Sequence, residues 1–195
     1  TGYDCDSLAM EPITNFISDF IPFFRRYKNA LFEIRTKSIN NMIFGKHDAL
    51  TNCIVAYSLM PEILAQKLDK KAPSVSARIK NMKYIVKKGW KVGLRFDPLI
   101  YCNNWKSEYA ELFASIFKEI KNENIHSISL GPLRFPKDFF NKLLQFYPKT
   151  EEFSFLRSNH KGIVSYDQTL ESEMNEYCRL ELMKYSDERK FFSCG

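Results

Sequence analysis

A chain of 195 residues has room for one domain with a full hydrophobic core. At 45% hydrophobic and 27% charged, it is neither a disordered nor a fibrous sequence. The formal charge of +6 is mild, so it admits an anionic partner such as nucleic acid without requiring one.

The elements begin after Asp4, Asp6 and Ser7, which are loop and N-cap formers. Pro12 suits the first turn of a helix carrying Ile13, Phe16, Ile17, Phe20 and Ile21 and ending near Pro22–Arg26. The run L-F-E-I-R-T-K-S (31–38) alternates with period two and predicts a strand that ends polar, on Arg35, Thr36, Lys37 and Ser38. A short amphipathic helix (Ile39, Met42, Ile43) and a loop through Gly45 and His47 lead to a second strand, Cys53 to Leu59, polar at Ser58. Helices follow at Pro61–Leu68 and Val75–Lys88. The second of these has Ile79, Met82, Ile85 and Val86 on one face, and Arg78, Lys80, Lys83, Lys87 and Lys88 on a face read as solvated.

Gly89 closes that helix. A strand over Lys91–Asp97 is expected to stop at Pro98, followed by a long helix, Trp105–Lys121. The fourth strand, Ile125–Leu130, breaks at Gly131-Pro132, and Phe135-Pro-Lys-Asp-Phe introduces a helix running to Phe146. From Glu151 the pattern is less regular, until a helix over Thr169–Tyr185 and a closing strand over Phe191–Cys194.

Strands alternating with helices imply βαβ units and a parallel sheet. Its four strands end at Lys37, Ser58, Asp97 and Arg134, which would ring one face, and ligands of such sheets lie at the C-terminal strand ends. Lys37 reads either as an anchor for an anionic group or as a solvated strand end. Arg134 reads as a bidentate holder of phosphate or carboxylate, or as a surface arginine paired locally. Asp97 is a turn former before Pro98 or, with Glu33, one of a carboxylate pair. Cys5 is a reactive thiol or a small hydrophobe. His47, His126 and His160 have no partner pattern and read as structural.

Seven glycines, with neither G-x-G-x-x-G nor G-x-x-x-x-G-K, exclude glycine-cradled phosphate loops. The cysteines (Cys5, Cys53, Cys102, Cys178, Cys194) form no C-x-x-C and no Cys/His cluster, so neither a disulfide framework nor a metal site within the chain is expected. A reducing cytoplasm fits this set, and no apolar run approaches a membrane span.

The order of F-E-I-R-T-K-S, A-Y-S-L-M-P, A-P-S-V-S-A-R-I-K, G-W-K-V-G-L-R-F-D-P-L-I-Y with Trp105 and Tyr109, L-R-F-P-K and Y-P-K-T resembles the spore photoproduct lyase family of radical S-adenosylmethionine enzymes. The match runs from about Asp6 to Thr150. The resemblance implies an α/β fold, a partial (β/α)6 TIM-like barrel, with residues 1–150 as its barrel portion and 151–195 as a C-terminal extension of the same domain. It implies a [4Fe–4S] cluster that cleaves S-adenosylmethionine to a 5′-deoxyadenosyl radical, acting on a thymine dimer in DNA, in a monomer. By the same resemblance Lys37 meets the methionyl carboxylate, Ser58 and Asp97 lie on the cofactor, and Arg134 faces the DNA.

Two departures stand beside it. The family's C-x-x-x-C-x-x-C loop is absent from the sequence, and cluster ligands must be thiolates brought close together. In the family that loop and a first strand lie upstream of the position of Thr1, so this chain reads as a fragment, inactive by itself. The family's hydrogen-donating cysteine aligns with Tyr3, with Cys5 two residues on. Either Cys5 serves as donor or the substrate differs, and the second reading is preferred. The alternative function is a non-catalytic nucleic-acid-binding or interaction domain on the same fold.

Overall fold

The apolar runs of the sequence become strands that pair in the order in which they occur. The computed structural model describes residues 5–159 and 161–193; Tyr3, His160 and Cys194 lie outside them. The main strands are β1 (Phe32–Thr36), β2 (Cys53–Ser58), β3 (Lys91–Leu99) and β4 (Ile125–Pro132), followed by three short ones, β5 (Phe135–Pro136), β6 (Arg157–Ser158) and β7 (Ile163–Ser165), and by β8 (Phe191–Ser193). A parallel five-stranded sheet has the order β1-β2-β3-β4-β8, and a small antiparallel sheet the order β5-β7-β6. The helices are α1 (Glu11–Thr14), α2 (Phe16–Arg26), α3 (Met42–Lys46), α4 (Glu62–Leu68), α5 (Val75–Lys87), α6 (Trp105–Glu119), α7 (Lys137–Phe146) and α8 (Gln168–Met183).

The two faces of the parallel sheet differ in kind. Successive side chains alternate across a strand, and register places Phe32, Ile34, Val55, Tyr57, Val92, Leu94, Phe96 and Ile128 together on one face. Helices cover it. Phe24 of α2 stacks on Phe32 at 4.3 Å, Asn81 of α5 donates to the Tyr57 hydroxyl at 2.7 Å, and Phe113 of α6 meets Phe96 at 5.0 Å. Aromatic pairs of this kind add about 0.5–1.5 kcal/mol each beyond the area they bury. The other face carries Glu33, Arg35, Ser58, Arg95, Asp97, Ser127 and Ser129, with Ala56 and Gly93 between them. A parallel sheet is ordinarily apolar on both faces, so this polar face singles out a candidate site.

Several elements differ from their sequence expectations. The first helix is two, broken at Asn15, whose φ of 50° asparagine tolerates, and the Glu11 carboxylate accepts the Ile17 and Ser18 N–H groups at 2.8 and 2.9 Å to start α2. Asp6 caps no helix of the first run; it is spent on the end of β1, as described below. Pro98 does not stop β3, because Leu99 resumes pairing opposite Pro132 after an irregularity, and β4 runs on through Gly131. Phe135-Pro136 leads into the expected helix, with Pro136 as the N-cap of α7, but also forms the short strand β5, which the sequence did not suggest. In the tail, β6 and β7 join β5 in the small sheet where an irregular stretch was expected, while the expected helix and closing strand form as α8, packed against α6 and β4, and β8, beside β4 in the main sheet. Arg78 is wholly buried, not solvated, since its place three residues after Val75 puts it on the same buried face as Ile79 and Met82.

Candidate functional site at the strand ends

At the end of β1, the Thr36 hydroxyl donates to Asp6 Oδ1 at 2.7 Å and the Lys37 N–H to Asp6 Oδ2 at 2.6 Å. Asp6 also accepts the Leu8 and Ala9 N–H groups, so four hydrogen bonds hold its charge and pin the opening loop to the strand end. The Lys37 side chain reaches Asp69, beyond α4, with Nζ 2.6 Å from Oδ1. The other oxygen of Asp69 is 2.9 Å from Arg78 Nη2. Arg78 further donates to the carbonyls of Ser58 (3.0 Å) and Pro73 (2.9 Å). Two cations therefore share one carboxylate. A buried guanidinium must keep its counter-ion, which makes Asp69 foremost the partner of Arg78 and leaves Lys37, 36% exposed, as the surplus positive charge.

Two ion pairs of opposite sense span β2 beside this group. Arg35 of β1 reaches Asp97 of β3, donating to Oδ1 at 2.7 Å and to the carbonyl at 3.2 Å, and passes the Ser58 hydroxyl at 3.4 Å. Arg95 of β3 returns to Glu33 of β1 at 2.6 and 3.1 Å. Arg95 is 1% exposed; it also donates to the Ser127 carbonyl and hydroxyl and lies over the Phe192 ring at 4.8 Å. Small residues make room for these crossings: Ala56 and Gly93 are in register, and a Cβ on Gly93 would come within 2.8 Å of Arg95 Nη2. Burial raises the Glu33 pKa, but the hydrogen bond and charge of Arg95 outweigh it, and the carboxyl is held below its ordinary 4.5.

A cleft of about 1230 Å³ opens at these ends, lined by Lys37, Asp6 and Ser38, by Lys67 to Pro73 after α4, by Pro98, Ile100 and Leu133, and by Tyr147 with Lys149 to Phe153. Lys37 thus lies in the cleft wall. Ser58 and Asp97 are joined through Arg35 at the neighbouring strand ends. Arg134 is an exposed residue between β4 and β5, next to the lining residue Leu133, and Cys5 is exposed beside Asp6. Glu33 and Asp97 each hold an arginine, Arg95 and Arg35 respectively. Asp69, Arg35 and Arg95 are the members that sequence reasoning missed. The i, i+2 spacing of Glu33, Arg35 and Lys37, and of Arg95 and Asp97, was the available signal, since it places charges of both signs on one sheet face.

Among the described residues no three His, Cys, Asp or Glu side chains come together as metal ligands. Cys53 and Cys178 are buried in the core, Cys102 is half-buried and Cys5 exposed, and burial pushes the Cys53 thiol up to about 12. These dispersed thiols do not fit an iron–sulfur cluster.

The model of the family described as spore photoproduct lyase matches residues 2–162. The chain belongs to the spore photoproduct lyase family. Solved structures of that lyase share the fold. A mutant with bound AdoMet and dinucleoside spore photoproduct is 16% identical with a TM-score of 0.80, covering 96% of this chain and 57% of that one. The lyase complexed with dinucleoside spore photoproduct is 15% identical with a TM-score of 0.79, over the same shares of the two chains. This chain therefore spans little more than half the length of these relatives. No curated protein matches it in sequence. With the family, the five-stranded parallel sheet is identified as the α/β fold of the lyase.

Proposed function

We propose that the strand ends of this chain form the S-adenosylmethionine side of a radical enzyme resembling spore photoproduct lyase. The observation that carries the reading is the surplus cation at the cleft wall: Lys37 shares Asp69 with a buried Arg78, and so can meet a ligand carboxylate without leaving an anion unpaired. The methionyl carboxylate of the cofactor fits that cation as a charge-assisted partner. Ser58 and Asp97, at the neighbouring strand ends and both bonded by Arg35, are assigned to the same cofactor. In this family the cofactor supplies a 5′-deoxyadenosyl radical, which takes a hydrogen from a thymine-dimer lesion in DNA.

Arg134, exposed at the end of β4, is assigned to the DNA side, and Cys5 is the thiol this reading offers as hydrogen donor. Residues 1–150 carry the barrel portion, and 151–195 belong to the same domain. The described residues provide no cluster ligands, so no step is assigned to a cluster here. Equilibrium dialysis of the chain against labelled S-adenosylmethionine tests the reading. Saturable binding that weakens in Lys37→Ala is expected, and a chain that takes up no cofactor would refute it.

A further inference from the structure

The cleft exceeds what a cofactor needs: about 1230 Å³ lies above the ~300–1,000 Å³ usual for a small-molecule pocket. Most charges along it are already committed. Lys37 is assigned to the cofactor carboxylate, Lys67 is 3.0 Å from Glu152, and Asp6 is held by hydrogen bonds. Lys70 and Lys71, in the turn after α4, and Lys149, after α7, also line it; all three are exposed and make no ion pair among the described residues. Against these three cations the remaining acidic lining residue is Glu151. Tyr147, 58% exposed, lines the same cleft two residues before Lys149. Cations without fixed partners and an exposed aromatic ring lining one cleft are the two components of a single-strand site: the first track phosphates and the second stacks a base.

We infer that the outer cleft holds an unpaired nucleic-acid strand, with its phosphates against Lys70, Lys71 and Lys149 and a base stacked on Tyr147. The inference rests on the nucleic-acid reading above and adds that the ligand is a strand gripped outside the reacting nucleotides, by residues distinct from Arg134. A lone nucleoside would leave the three lysines without work. Duplex ends and loops can supply such a strand if they open locally.

The test is fluorescence anisotropy of the chain with a labelled oligothymidylate and with an abasic strand of equal length, across a salt series. Lys70→Ala/Lys71→Ala/Lys149→Ala should lower affinity at least tenfold at low salt and flatten the salt slope by about 2, since each single-strand phosphate contact contributes ~0.7. Lys80→Ala/Lys87→Ala/Lys118→Ala removes the same charge from exposed positions outside the cleft and should change neither. Tyr147→Leu should weaken oligothymidylate about tenfold and leave the abasic strand unaffected. Equal losses in the two triple variants, or none in the first, would overturn the inference while leaving the nucleic-acid reading standing. A wild-type chain that binds neither strand at low salt would overturn both.

Discussion

At the scale of single residues, Asp69 serves two partners that differ in burial, and this sets different consequences for losing each. Arg78 has no exposed side-chain surface, whereas Lys37 is 36% exposed. Removing the carboxylate strands a buried guanidinium, so Asp69→Ala should destabilise the fold by about 3–5 kcal/mol. Lys37→Ala loses a solvent-screened pair and should change stability by at most ~1 kcal/mol. Urea unfolding of the two variants checks the contrast; equal losses would mean that Lys37 is structural rather than available to a ligand. Lys37 itself was legible in the sequence because a cation at the end of an alternating strand cannot enter the core. Asp69 was not, since it caps α4 32 residues away and meets Lys37 only in the folded chain.

At the scale of elements, the crossed arginines fix how β1 and β3 lie across β2. Gly93 is required by the guanidinium above it rather than by its backbone. Arg95 is locked by Glu33 and Ser127, so it cannot yield to a methyl group. Gly93→Ala should therefore cost about 1–3 kcal/mol of stability, and close to nothing in an Arg95→Met background where the guanidinium is gone. Additive losses would show that the clash is with the backbone instead.

The same pair predicts a pH dependence. Glu33 titrates below its ordinary 4.5 in the folded chain, so the stability it contributes is complete above that value and is lost as pH falls through the lowered one. Glu33→Gln should be less stable than wild type at neutral pH, with the gap closing on acidification below about 4.5. A gap that stays constant with pH would contradict the pairing. Alternation made the strands legible. It did not reveal which face is polar, because that depends on register between strands far apart in sequence, nor did it reveal β5, β6 and β7, whose two- and three-residue lengths leave no period to read.

At the scale of the whole molecule, helices close one face of the parallel sheet and the other is lined with charge, and the cleft opens where that lining meets the strand ends. The chain shares this fold with spore photoproduct lyase over 57% of the lyase's length. Family motifs spread from Phe32 to Thr150 made the architecture legible before any contact was known. The second sheet, and the meeting of Lys70, Lys71, Tyr147 and Lys149 in one cleft, emerge only when the segment after α7 folds back onto the cleft.

The central claim is that Lys37 holds the carboxylate of S-adenosylmethionine, and a binding cycle with decarboxylated S-adenosylmethionine isolates that contact. Wild type should bind the intact cofactor more tightly than the decarboxylated one. Lys37→Ala should weaken the intact cofactor by about 1–3 kcal/mol, roughly five- to 150-fold, and leave the decarboxylated one unchanged. Equal weakening of both ligands, or of neither, would contradict the account.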